Sequence, residues 1–387
     1  MPSRRDLLRI PVALPLMAQS RQPAKAQPFR VNIPQATINR ILRRIREARF
    51  PDRIDVADWS YGANWDYMKS LAQYWTAKFD WRKAEANLNR YPQFIARVED
   101  FDIHFYHVRA RRQNALPLVL THGWPGSVFE FLEGIGPLTE DFNVVIPSLP
   151  GFGFSSKPKG KPVGPVTTAR LWHKLMTDVL GYPKFGAQGG DWGMRVTMEL
   201  AGQFPESVVG IHLNAAPAGP PLENPTEEER EWQRVTIAAR TAEIDYLNEQ
   251  QHKPQTVAFA LYDNPIGGAA WIAEKMKGWS DAFFTEDQVL TNIMIYLLTD
   301  TMATGVWFYR GAAEEPSQLR GKLNTPAGFA AFPKEMPYLQ PPRSVLERNF
   351  NLVHYTKMPR GGHFACLEQP QLLAADIRTF FQMLQSA

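Results

Sequence analysis

The chain has 387 residues, of which 44% are apolar and 21% charged, and its single cysteine, Cys366, excludes an internal disulfide and a cysteine-built metal site. The net charge of +4 sits in the first 27 residues, where Arg4, Arg5, Arg9, Arg21 and Lys25 face only Asp6; removing these five from 43 basic residues and that one from 39 acidic residues leaves 38 of each. No basic stripe remains for a nucleic-acid backbone, and no apolar run reaches the roughly 18 residues of a membrane-spanning helix.

In chain order, residues 1–27 read as a leader. Ser3-Arg4-Arg5-Asp6-Leu7-Leu8 resembles a twin-arginine signal, Ile10 to Ala18 is a short apolar run interrupted by Pro11 and Pro15, and Ala24-Lys25-Ala26 has the small-x-small spacing of a cleavage site. The expectation is export of the folded chain; the alternative is a basic N-terminus or surface anchor on a cytoplasmic protein. Next, Ile38, Ile41, Leu42 and Ile45 follow the i, i+3, i+4, i+7 spacing of one helix face. A second helix is expected around Trp65 to Phe79. Residues 28–100 thus read as an N-terminal extension that wraps a core and carries no chemistry.

The sheet is expected to begin near Phe101 to Val108, an alternating and half-exposed strand. Leu116 to Leu120 and Asn143 to Pro147 read as buried strands, and strand, loop and helix keep alternating, which argues a mostly parallel sheet flanked by helices over residues 101–218. Composition changes at Pro217-Ala218-Gly219-Pro220-Pro221. Asn224 as cap, Pro225 at the first position and Glu227 near the positive end of the dipole mark a helix start. Residues 219–318 then read as an inserted helical lid rich in Trp, Tyr and Phe. The core resumes over 319–387 with strands at Thr325 to Phe332 and Asn351 to Tyr355, and closes with an amphipathic helix from Gln371 to Leu384 that buries Leu372, Leu373, Ile377, Phe380 and Phe381.

The chemistry is concentrated at Gly189-Gly190-Asp191-Trp192-Gly193, which follows the strand-like Lys184 to Gln188 and fits the G-x-nucleophile-x-G elbow of an α/β-hydrolase fold. A tight turn with a capping aspartate would leave the same trace. The slot holds aspartate rather than serine, and that selects the reaction. A carboxylate attacking a saturated carbon forms an ester, which water can cleave, whereas serine would form an inert ether. Nucleophile, acid and histidine base follow one another in the hydrolase order as Asp191, Glu335 and His363. Glu335 is preferred to Asp300, Glu314 and Glu347 because it alone lies just past a strand-like run; His363 is preferred to His354 because Gly361-Gly362 opens a loop just after a strand. His122 reads as a loop builder, since the base should follow the nucleophile. Trp124 and Trp192 sit where the two oxyanion-hole N–H groups belong.

His122-Gly123-Trp124-Pro125-Gly126-Ser127, Gln188 to Gly193 and Arg360-Gly361-Gly362-His363-Phe364 together resemble the epoxide hydrolases of the microsomal and juvenile-hormone type, over roughly Phe29 to the end. The resemblance implies two lid tyrosines that donate to the epoxide oxygen. One lies eight residues before the proline of a K/R-P-x-T segment, and Lys253-Pro254-Gln255-Thr256 points to Tyr246. The other lies in an R-F-Y-x-E segment after a T-N-I-M-x-Y helix; Thr291 to Tyr296 followed by Trp307-Phe308-Tyr309-Arg310-Gly311 points to Tyr309. Trp307, Gly311 and Leu297 depart from the family's usual arginine, acidic residue and aromatic. The implied activity is hydrolysis of an apolar epoxide by water to a vicinal diol, through an ester on Asp191, with no metal or organic cofactor. The rival readings are a haloalkane dehalogenase-like hydrolase and a non-catalytic binding protein on the same fold.

Overall fold

The isoleucine stripe is buried as its spacing predicts. In the computed structural model, which describes residues 25–56, 58–217, 222–317, 319–335 and 340–386, Ile38, Ile41 and Ile45 form the covered face of α1 (Gln35–Glu47). The twin-arginine-like stretch lies outside the described residues. The extension runs from β1 (Gln27–Phe29) through α1, α2 (Trp65–Ala77) and α3 (Trp81–Leu88) to β2 (Gln93–Val98). Because β1 pairs with β2, and β2 with β3 (Phe101–Val108), both antiparallel, the sheet begins inside the extension and not at Phe101. Two physical facts hide these strands in the sequence. β1 is only three residues long, and β2 opens on a buried polar residue, Gln93, whose amide donates to Leu88 O at 2.9 Å and whose carbonyl meets His104 Nε2 at 2.9 Å. β3 is also deeper than its alternation implies, since His104 and Tyr106 are buried together with Ile103 and Phe105.

The core continues with β4 (Leu116–Thr121), α4 (Leu132–Leu138), β5 (Phe142–Pro147), α5 (Pro165–Lys174), β6 (Phe185–Gly189), α6 (Asp191–Gln203) and β7 (Val208–Leu213). The lid comprises α7 (Glu227–Glu243), α8 (Asp245–His252), α9 (Pro254–Leu261), α10 (Pro265–Gly278), α11 (Glu286–Leu298) and α12 (Met302–Glu314). The chain returns through β8 (Leu323–Ala331), α13 (Arg343–Glu347), β9 (Phe350–Lys357), α14 (Ala365–Glu368) and α15 (Pro370–Ser386). The strands order as β1-β2-β3-β5-β4-β6-β7-β8-β9, antiparallel as far as β5 and parallel from there on. This is the α/β-hydrolase fold. Chain order reverses around β4, and in open sheets of this kind the carboxyl ends of the strands beside such a reversal frame the binding crevice.

The lid starts two residues later than its sequence suggests. Thr226, not Asn224, caps α7: its hydroxyl accepts from Glu229 N–H while the Glu229 side chain accepts from Thr226 N–H, a reciprocal capping box. Asn224 instead adopts a left-handed turn at φ 47°. Gly311, one of the departures, has a steric reason, since a Cβ there would come within 2.3 Å of the Val163 backbone where α12 crosses the start of α5. Among the described residues no single helix is long and apolar enough to cross a membrane.

α15 is fastened to the sheet by one buried carboxylate. Asp376 accepts from His212 Nε2 of β7 at 2.9 Å, and from His354 Nε2 and the Thr356 hydroxyl of β9 at 2.8 and 2.6 Å. Burial alone would raise the Asp376 pKa, but these hydrogen bonds outweigh it and hold the carboxyl well below its usual range. Its stabilisation is therefore present above the unfolded carboxyl pKa, about 3.9, and is lost as pH falls through the depressed folded value. Asp376→Ala, which strands the buried imidazole of His212 and the half-buried one of His354, should cost about 3 kcal/mol in urea denaturation at pH 7.

Candidate active site

β4 and β6 are hydrogen-bonded neighbours in parallel register, with Thr121 opposite Gly189. The loops that leave their carboxyl ends, residues 122–127 and the elbow, therefore emerge side by side. Asp191 takes a left-handed φ of 46°, a conformation that aspartate tolerates better than most residues. The glycines around it are needed for closeness. A Cβ on Gly193 would fall 1.8 Å from Thr121 O, one on Gly189 2.2 Å from the Gly193 backbone, and one on Gly123 1.9 Å from Asp191 Oδ1. Strand, helix and neighbouring loop thus meet at van der Waals limits around one carboxylate. Trp124 N–H donates to Asp191 Oδ1 at 2.7 Å, and Trp192 stands in the first turn of α6.

The loops after β8 and β9 are zipped together. Lys334 bridges to Gly362, and Lys334 N–H donates to Gly361 O at 3.1 Å, so the next residue on each loop faces its counterpart. His363 Nδ1 meets Glu335 Oε1 at 2.9 Å, and His363 Nε2 lies 3.4 Å from Asp191 Oδ2. All three side chains lie in the interior or on the cavity wall, with His363 and Glu335 buried. Burial by itself would depress the His363 pKa; the charge of Glu335, the contacts to Asp191 and the Glu335 hydrogen bond outweigh it and hold the imidazole well above its usual value. Glu335 is itself raised by burial, partly offset by His363.

The lid brings the two tyrosines into the cavity that this carboxylate lines. Tyr246, at the start of α8, stacks on Trp124 with ring centroids 5.4 Å apart and planes at 15°. Tyr309, on α12, stands edge-on to Trp192 at 4.8 Å and 6.0 Å from Tyr246. The Tyr309 hydroxyl is buried without a well-formed hydrogen bond, its polar neighbours being Tyr246 and the Trp192 indole, and burial above all raises its pKa so far that it remains a proton donor. Asp191, Trp192, Tyr246, Tyr309, Glu335 and His363 line one cavity of about 230 Å³, with Met194, Ala215, Ala216, Ile244 and Leu247 as apolar wall and Arg240, Glu243 and Gln251 as polar features.

The residues passed over by the sequence reading have structural duties elsewhere. His122 takes the backbone N–H of Leu149 at Nε2 and meets Gly123 O at Nδ1, both at 3.1 Å, and burial lowers its pKa to about 4. It is a neutral loop brace. His354 serves Asp376, while Asp300, Glu314 and Glu347 pair with Arg40, Arg310 and Arg343. Two residues of the Thr291–Tyr296 motif brace the loop beside Asp191. Asn292 donates to Pro125 O at 2.7 Å and accepts from Ser127, and the Tyr296 hydroxyl donates to Gly126 O at 2.6 Å. That lid helix holds the loop from which Trp124 projects. Lys275 was missed, because a lysine on a lid helix carries no signal by itself. Its ammonium is buried, pairs with Glu243 and Glu274, and lies 4.7 Å over the Tyr246 ring, where it fixes the ring face. Among the described residues no group of three or more His, Cys, Asp or Glu is gathered to hold a metal ion.

With this geometry in place, comparison with known proteins is specific. The family model described as "Epoxide hydrolase N terminus" matches residues 26–131, and that for the alpha/beta hydrolase fold matches residues 117–281. A protein of Stigmatella aurantiaca, provisionally named an epoxide hydrolase, is 41% identical over 93% of this chain and 85% of its own length. Epoxide hydrolase 1 of Sus scrofa is 35% identical over 93% of this chain and 89% of its own. The solved structure of Aspergillus niger epoxide hydrolase is 31% identical, covers 93% of this chain and 97% of that one, and superposes with a TM-score of 0.85.

The clearance at Gly123 bears directly on the site's precision. Gly123→Ala should displace the Asp191 carboxylate and lower kcat/KM on the order of 100-fold, while the thermal midpoint, read by circular dichroism, stays that of a folded protein.

Proposed function

The chain belongs to the epoxide hydrolase family, and from that premise we propose that it opens an apolar epoxide to a vicinal diol in two steps, through an ester on Asp191. The observation that carries the reading is the arrangement at that carboxylate, with a backbone N–H on one oxygen and a buried histidine on the other. Oδ2 attacks an epoxide carbon, the ring C–O bond breaks, and the oxygen takes a hydrogen bond and then a proton from the tyrosine pair, Tyr246 and Tyr309. Their hydroxyls act where the negative charge develops, which is where a donor lowers the barrier. Tyr309 suits this role because its pKa is raised, chiefly by burial, and its hydroxyl has no well-formed hydrogen bond to give up.

Alkylation then changes the electrostatics. Asp191 becomes a neutral ester, so one of the influences that keep His363 protonated disappears, while Glu335 remains beside Nδ1. His363 then gives up its proton, which through solvent replaces the one that the tyrosine pair gave to the epoxide oxygen, and the neutral imidazole can act as a base. Water gives a proton to Nε2 and attacks the ester carbonyl, whose Oδ1 faces Trp124 N–H and the first-turn donors of α6 at Trp192. The acyl C–O bond breaks, the diol leaves with a proton, and the carboxylate is restored. An apolar substrate fits the cavity wall of Met194, Ile244 and Leu247.

A single turnover in oxygen-18 water should place the label in Asp191, read by mass analysis of the peptide that holds it. Label appearing directly in the diol would sink the ester mechanism. Tyr246→Phe and Tyr309→Phe should each slow alkylation on the order of 100-fold; halide release from a haloalkane with no diol formed from epoxides would favour the dehalogenase reading. The decay of the ester should quicken as pH rises, since only the neutral imidazole accepts the proton of water, and a rate that falls with rising pH would contradict His363 as base.

A further inference from the structure

The two lid tyrosines differ in what encloses their rings. Beside Tyr246 stands the ammonium of Lys275, a residue of α10 that is 6% exposed, and a charge so buried persists only where partners replace its water. Glu243 at 3.1 Å and Glu274 at 3.0 Å are two of them. The ammonium also lies 4.7 Å from the centroid of the Tyr246 ring and 5.6 Å from that of Trp279, and Glu243 Oε2 accepts from the Trp279 indole at 3.2 Å. Glu243, Tyr246 and Trp279 all line the substrate cavity. One cation against two carboxylates leaves an excess of negative charge, but the three are not screened alike. The Glu243 and Glu274 side chains keep 26% and 24% of their surface in solvent and the Lys275 side chain 7%, so water weakens the field of the carboxylates more than that of the ammonium. Tyr309, by contrast, has the rings of Trp124, Trp192 and Tyr246 around it at 5.8, 4.8 and 6.0 Å, and burial above all holds its pKa well above the ordinary value.

We propose that Lys275 is a positioning residue for the first step, acting through Tyr246: it selects that tyrosine as the one that gives its proton to the opening epoxide, while Tyr309 contributes a hydrogen bond only. This rests on the two-step reading above. As Asp191 Oδ2 bonds to the epoxide carbon, the electron pair of the breaking ring C–O bond goes to oxygen, and the Tyr246 hydroxyl proton follows it. The phenolate left behind carries the negative charge, spread over its oxygen and its ring. An ammonium over that ring attracts the charged form more strongly than the neutral phenol. Only such a difference between ground state and transition state lowers a barrier. Charge placed on Tyr309 would sit deeper in an aromatic enclosure, where taking it out of water costs more. Lys275 itself exchanges no proton, and Tyr246 regains its own through solvent as His363 releases one.

The deciding experiment is rapid-quench single turnover with styrene oxide on the full chain, following the Asp191 adduct by mass and the diol by chromatography. Lys275→Met, which keeps the length of the side chain and removes its charge, should form the adduct on the order of 10-fold more slowly and hydrolyse it at the wild-type rate. In a Tyr246→Phe background the same substitution should change adduct formation by less than about twofold, because the group it acts through is gone, whereas in a Tyr309→Phe background the full slowing should return. Glu243→Gln leaves the ammonium in place with one opposing charge fewer and should form the adduct at least as fast as wild type; it decides the matter if Lys275→Met does not fold. Adduct formation at the wild-type rate in Lys275→Met, equal slowing of both steps, the same slowing in the Tyr246→Phe background, or slower adduct formation in Glu243→Gln overturns the assignment. An adduct that accumulates in His363→Gln keeps the two-step reading intact whatever Lys275 does, whereas no adduct there removes that reading and the role of Lys275 with it.

Discussion

Everything at this site depends on the approach of two parallel strands, β4 and β6, whose ends lie so close that three glycines have no room for a methyl group. The constraint is steric before it is chemical. It lets the Trp124 loop reach across to the Asp191 carboxylate, fixes one oxygen against a backbone N–H, and leaves the other to the cavity and to His363. A carboxylate free to rotate would present either oxygen to either role. Here the backbone decides which oxygen does which.

The core strands after residue 100 and the site loops were legible because each left a local signal. Apolar runs such as Asn143 to Pro147 and the glycines around Asp191 report their own geometry. The histidine loop was legible for the same reason, since Gly361 does adopt a left-handed φ of 105°. What escaped was information held between distant segments. β1 and β2 are strands because they pair with each other and with β3, and a buried Gln93 makes sense only once Leu88, Asn89 and His104 surround it. Likewise Asn224-Pro225 is a plausible cap by composition, but the hydroxyl that meets Glu229 belongs to Thr226.

The tyrosines illustrate the limit most clearly. Nothing in the lid's periodicity separates Tyr246 and Tyr309 from tyrosines that only pack; family resemblance named them, and both rings touch Trp124 in the cavity that Asp191 lines. Lys275 had no comparable signal. It is a charged residue in a segment where an exposed side chain is the default, and only its burial distinguishes it.

The lid is attached unevenly. His363 N–H donates to Trp279 O at 2.9 Å, Gly361 N–H to Asp281 at 3.0 Å, and Asp281 N–H to Glu368 at 2.8 Å, while Asn292 and Tyr296 bind the opposite loop. The segment from Trp279 to Tyr296 is therefore part of the catalytic framework, although it belongs to the lid by chain order. α7 and α8 supply Arg240, Leu247 and Gln251 to the cavity wall, and they meet the Trp124 loop through the Tyr246 ring. For protein engineering this divides the lid into two territories: one whose variation retunes which molecules enter, and one whose variation disturbs turnover for all of them alike.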